Sequence, residues 1–154
     1  MINARAETLA EKPSFRNAFR RRRCLILADG FYEWKQVPGS KSKIPMFIRL
    51  VSGKPFAFAG LWERWLSPDG SEVLSCAIIT TQPNTFMKSI HNRMPVILPP
   101  DAYARWLDPS DQMPEKLAPL LQPYTASELI AHEVSRLVNS PQNDTPNLIN
   151  PLTE

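Results

Sequence analysis

The sequence predicts an α+β fold: a curved antiparallel sheet, β-barrel-like at its core, with short helices at its flanks. Three observations lead there. Five strand-like runs follow one another between residues 24 and 81, separated only by short turn segments. Proline occurs 16 times, about twice its ordinary share of roughly 5%, which keeps helices short. The alternation of strands and long helices that marks a doubly wound sheet does not occur. At 154 residues the chain suits one domain, residues 1–154, with room for a sizeable core.

The elements follow in order. Residues 4–23 end in a helix, with Pro13 suited to its first turn and Phe15, Ala18 and Phe19 at helical spacing. Strands are predicted at 24–28 (CLILA), 31–37 (FYEWKQV), 45–50 (PMFIRL), 56–63 (FAFAGLWE) and 72–81 (EVLSCAIITT). VPGSKSK and SPDGSE supply the hairpin turns through Pro-Gly and Asp-Gly. PNTFMKSI reads as a short helix and MPVIL, 94–98, as a strand. PPDAYARWL, PEKLAPLL and TASELIAH read as further short helices, and EVSRLVN, 133–139, as a late strand. Residues 140–154 read as loop.

Composition is that of an ordinary globular chain: 43% hydrophobic, 21% charged, net charge +3. That charge permits a polyanionic partner without requiring one. Cys24 and Cys76 sit in apolar strand-like runs and read as buried free thiols. No CxxC occurs, and His91 and His132 are the only histidines, so neither a metal nor another cofactor is expected. No run approaches 18 apolar residues and no signal-peptide core is present, so a soluble, intracellular protein without membrane contact is expected.

Candidate chemistry lies in three places. In DGFYEWK, a strand puts Phe31, Glu33 and Lys35 on one face and Tyr32 and Trp34 on the other. Glu33 either faces water or lines a cleft and handles protons. In SIHNRMPVIL, His91 stands beside Asn92 and Arg93, and its ordinary pKa puts proton transfer within reach near neutrality. The run Arg20–Arg23 suits a helix C-terminus, or a groove that holds phosphates beside aromatic rings. Trp62, Trp65 and Trp106 fall where core packing accounts for them.

INARAETLAEKPSFRNAFRRRRCLILADGFYEWK, followed by PMFIRL, FAFAGLWE, AIITTQPN, IHNRMPVIL and VNSPQNDTPNLINPL, resembles the SRAP family of SOS-response-associated-peptidase-like, abasic-site processing proteins. The likeness runs in order along nearly the whole chain. It implies a β-barrel-like α+β domain that binds single-stranded DNA containing abasic sites, with a cytoplasmic, nucleoid-associated location in a bacterium. It also implies a chemistry. An N-terminal Cys supplies an α-amine that condenses with the ring-opened sugar aldehyde, and its thiol closes a thiazolidine, a DNA–protein crosslink. By the same likeness Asn3 orients the nucleophile, Glu33 and His91 move protons, Arg5 and Arg93 contact phosphates, and Thr80 contacts DNA.

The likeness stops short of the family's Met-Cys-Gly-Arg start. Met1-Ile2 align just ahead of NARAET, so the chain is expected to be an N-terminally truncated member without the nucleophilic Cys, with strands missing from its sheet. Two other readings compete. One is a single-stranded nucleic-acid-binding module without chemistry. The other is a thiol peptidase or autopeptidase, the hydrolase activity in the family's older name.

Overall fold

The structure, a computed structural model, describes residues 1–110 and 112–152. Its elements are β1 (Asn3–Arg5), α1 (Pro13–Arg21), β2 (Arg23–Ala28), β3 (Phe31–Gln36), β4 (Lys43–Leu50), β5 (Phe56–Leu66), β6 (Glu72–Thr81), β7 (Met94–Pro95), β8 (Ile97–Leu98), α2 (Tyr103–Leu107), α3 (Pro114–Leu117) and β9 (Leu129–Glu133). The class is the α+β expected. The chain forms two compact units: residues 1–27, 56–82 and 94–124 make unit 1, and residues 28–55, 83–93 and 125 onward make unit 2.

Unit 1 is built on a strongly curled half-barrel sheet in the order β1-β6-β5-β2, with β7 added to β6 and β8 to β5. β5 and β6 run antiparallel, Gly60 opposite Ile78 and Leu66 opposite Glu72. Gly70, at φ 85°, sits in the turn between them, where a side chain would be strained. β1 departs from the antiparallel expectation and lies parallel to β6. One sheet face buries Ala4, Ala59, Leu61, Ala77 and Ile79 against Phe15, Ala18 and Phe19 of α1 and Trp106 of α2. At nine residues α1 is too short to persist alone, so its apolar stripe against the sheet holds it. Pro13 is in its first turn, as its spacing predicts.

Two strands run on beyond this core. Trp65, Leu66, Val73 and Leu74 on the outer β5–β6 ribbon are 56%, 59%, 45% and 67% exposed. The core expectation therefore holds for Trp106, which is fully buried, and fails for Trp62 and Trp65. The cysteine expectation fails too: Cys76 is exposed and Cys24 half-buried. Trp65 lies where the ribbon runs past the covering helices, whereas Trp62 and Cys76 are register partners that alternate with the core residues Leu61 and Ala77 and so take the sheet's other face.

The arginine run divides. Arg23 is buried, and its guanidinium donates to the carbonyls of Trp106 at 2.8 Å and Phe19 at 2.9 Å and to that of Asp108. It thereby satisfies carbonyls at the ends of α1 and α2 that those helices leave open. Arg22 pairs with Glu63 at 2.6 Å at the surface. Two of the four arginines are thus engaged in holding unit 1 together, which corrects a reading of the whole run as a phosphate groove.

Unit 2 holds an antiparallel sheet in the order β3-β4-β9. Glu33 lies opposite Met46, and Phe47 opposite both Tyr32 and His132. Gly30 precedes β3 because a Cβ there would lie 2.1 Å from the buried Phe47 ring. Residues 125–139 correct two expectations. TASELIAH is one 3-10 turn, Ala126–Glu128, that leads into β9, and the late strand is instead a 3-10 turn, Arg136–Asn139, capped by the Ser135 hydroxyl. Pairing with β4 outweighs the helical propensity of this stretch. PNTFMKSI shortens to a 3-10 turn at Met87–Ser89, and MPVIL divides into two-residue strands on either side of Val96. The loop-like tail contains a turn, Pro146–Ile149, and is fastened by His132 Nε2–H donating to the Ile149 carbonyl at 2.8 Å.

Candidate functional site

Unit 1 places three of the candidate residues together. The parallel register sets Asn3 opposite Ile78 and Arg5 opposite Thr80. Ala4, between them, points into the core at 2% exposure, so Asn3 and Arg5 project from the other face. Ile79 is likewise in the core, which turns Thr80 to the same face as Arg5. The Thr80 hydroxyl lies 3.4 Å from the Ala4 carbonyl, its acceptor. A carboxamide, a guanidinium and a hydroxyl on adjoining strands make a surface of hydrogen-bond donors suited to phosphate or sugar oxygens.

Unit 2 brings together the other three. β3 carries Glu33, and the turn at Met87–Ser89 presents His91, whose N–H donates to the Met87 carbonyl at 2.8 Å. Met87 is fully buried and its N–H donates to Asn84 Oδ1 at 2.8 Å, so the turn is pinned from both sides. His91 Nδ1 stands 3.7 Å from Glu33 Oε1, an ion-pair distance longer than a direct hydrogen bond. The side chains of His91 and Glu33 retain 37% and 23% exposure, so both are reachable from solvent.

The same Nδ1 lies 3.2 Å from the Arg93 N–H and 3.3 Å from the Arg93 carbonyl. These contacts are mutually exclusive in proton count. A bare Nδ1 accepts from the amide, whereas a protonated Nδ1 donates toward the carbonyl and faces the carboxylate. The backbone of Arg93 thus offers Nδ1 both a donor and an acceptor.

Glu33's carboxyl is held above the ordinary glutamate range. Burial, which disfavours the charged form, is the main cause; His91, the Trp34 amide and Lys43 offset it only in part. Lys43 stands opposite Gln36 on the β3–β4 ladder, not opposite Glu33, so strand spacing does not point to it. His132, by contrast, packs on Phe47 with ring centroids 5.7 Å apart and fastens the tail, a structural role.

The raised carboxyl predicts a pH-dependent stability. Below the unfolded-state pKa of about 4.3, Glu33 is neutral in both states; as pH rises through the higher folded-state pKa, it ionises against its burial and stability is lost. Glu33→Gln is therefore expected to raise Tm at about pH 7.5 and to leave it nearly unchanged at about pH 4. Thermal unfolding at the two pH values checks this.

Among the described residues no group of three or more His, Cys, Asp or Glu side chains is placed to hold a metal ion, and no helix is long and apolar enough to cross a membrane.

The fold is shared with known proteins. The family model for SOS response associated peptidase (SRAP) matches residues 1–141, and the chain belongs to that family. The chain is 55% identical over 149 residues to the abasic site processing protein YoqW of Bacillus subtilis, covering 97% of this chain and 66% of the relative. It is 34% identical over 171 residues to the abasic site processing protein HMCES of Gallus gallus, covering 97% of this chain and 50% of that one. A crystal structure of a protein from Bacteroides thetaiotaomicron superimposes with a TM-score of 0.88 at 33% identity, over 98% of this chain and 66% of the other. The chain thus spans about two thirds of the length of its bacterial relatives and half that of the avian one.

Proposed function

We propose that this domain recognises abasic sites in single-stranded DNA and that Glu33 and His91 move protons in the chemistry of the lesion's aldehyde. The observation that carries the reading is a half-buried carboxyl, pushed above its ordinary pKa, 3.7 Å from an imidazole whose Nδ1 faces both the N–H and the carbonyl of Arg93. The names of the relatives supply the substrate.

An α-amine adds to the aldehyde carbon and forms a carbinolamine. Loss of its hydroxyl as water requires a proton on oxygen and removal of one from nitrogen as C=N forms. Protonated Glu33 supplies the first and neutral His91 takes up the second. Asn3 orients the nucleophile by hydrogen bonding, while Arg5, Thr80 and Arg93 hold the DNA backbone. Ring closure to a thiazolidine needs a thiol and a free amine on one residue. The amines of Cys24 and Cys76 are locked in peptide bonds, so neither closes the ring.

The test is incubation of the 154-residue polypeptide with a single-stranded oligonucleotide bearing one abasic site, with and without borohydride. The expected result is an adduct that forms with reductant and none that survives heating without it. Failure to trap any adduct would overturn the proton-transfer reading. A phosphate-contacting role also has a numerical signature: Arg5→Ala and Arg93→Ala should each weaken binding and flatten the salt dependence of log K by about 0.7.

A further inference from the structure

Resting on the proton-transfer reading of Glu33, we infer that Met46 is its positioning residue: the thioether side chain lies beside the carboxyl on one face of the β3-β4-β9 sheet and keeps water from that side of it. The abasic-site chemistry set out above gives Met46 no part.

Register places it. Glu33 and Met46 are directly opposed on β3 and β4, so their side chains share a face, with Cβ atoms about 4.5–5.5 Å apart. The pairs on either side, Phe31 with Ile48 and Lys35 with Ile44, put two isoleucines on the same face. Both stand diagonally to Glu33, at roughly 7–8 Å, and Ile48 is fully buried. Met46 is itself half-buried. On its far side β9 sets Glu133, exposed, opposite Met46. The row across the sheet is therefore carboxyl, thioether, carboxyl.

The charges around Glu33 favour its ionised form. From the segment before β7, His91 stands 3.7 Å away, with Arg93 two residues on. Lys43 of β4 acts in the same direction as His91. Lys35 is the next residue of β3 on this face, and Glu133 lies two strands off, roughly 9.5 Å. The carboxyl is nonetheless held above the ordinary range, with burial the largest cause. A thioether is only a weak acceptor and has no proton to give, so along the closest cross-strand contact the ionised form finds nothing to replace water.

The experiment pairs a direct titration with a rate profile. Met46→Gln keeps the length of the side chain and adds an amide that donates to a carboxylate. Carbon NMR of the Glu33 side-chain carboxyl in the free chain should show its midpoint moved down by about one pH unit. The falling limb of reductive trapping on an abasic single strand should move with it, a rate about tenfold lower at a pH above the limb. Met46→Leu, apolar and of similar volume, should leave both in place. Met46→Ala admits water and should move both in the direction of Met46→Gln, which keeps the test decisive if the glutamine variant does not fold. A Glu33 midpoint that is the same in the wild type, Met46→Gln and Met46→Ala would overturn the assignment and leave the abasic-site reading standing. A midpoint that falls while the trapping limb stays put would overturn proton transfer by Glu33, and with it any part for Met46 in the reaction.

Discussion

Glu33→Gln is expected to slow reductive trapping of the abasic aldehyde by about 10²-fold, the lower end of what a positioned general acid contributes, and to leave affinity for the intact counterpart strand in place. An amide has the shape of the carboxyl and its hydrogen-bonding capacity but no proton to give. The pH profile separates this from a packing effect. On the proposed mechanism the working form is the protonated acid, so the rate is expected to fall as pH rises through Glu33's elevated pKa. Glu33→Gln removes that limb of the profile. His91→Ala takes away the largest influence that lowers the Glu33 pKa, so the limb should move to higher pH while the maximum rate drops. A merely structural Glu33 would leave the limb where it was.

Arg23→Ala is expected to cost roughly 3–5 kcal/mol of stability, because it strands two buried carbonyls and a part-buried one at about 1–3 kcal/mol each. The partners are the carbonyls of Phe19, Trp106 and Asp108, and Trp106 is itself tied to the Cys24 carbonyl by its indole N–H at 2.9 Å. A domain of this size has only about 5–15 kcal/mol in hand, so the variant should unfold at much lower urea. Arg22→Ala is the matched control. Its exposed pair with Glu63 contributes about 0–1 kcal/mol, so its midpoint should barely move. Urea midpoints with unchanged m-values decide the matter.

Those two residues show what the sequence reveals and what it conceals. Glu33 stood out because a carboxylate among rings in a period-two strand is a local anomaly, and β3 formed as its alternation required. Arg23 did not stand out, because a run of four arginines looks uniform in sequence. Only the packing of α2 against β2 distinguishes Arg23 from its neighbours. β1 was missed since three residues hold too little alternation to signal a strand; its register comes from β6, more than seventy positions away. TASELIAH misled for the complementary reason, since its local helical preference was overridden by pairing with β4. The candidate residues were legible through the NARAET, DGFYEW and IHNRMP motifs taken jointly. Their grouping, Asn3 and Arg5 with Thr80 and Glu33 with His91 and Arg93, depends on long-range pairing that spacing does not encode.

What distinguishes a lesion-processing domain from a plain binder of single strands is preference for the missing base. Affinities of the purified chain for two otherwise identical single-stranded oligonucleotides, one intact and one with a single abasic site, measure that preference at fixed salt. A carboxyl–imidazole couple adapted to an aldehyde should make the abasic strand bind distinctly more tightly, with Glu33→Gln and His91→Ala narrowing the difference. Equal affinity for the two strands would contradict the assignment and leave Arg5 and Arg93 serving only to hold a charged backbone.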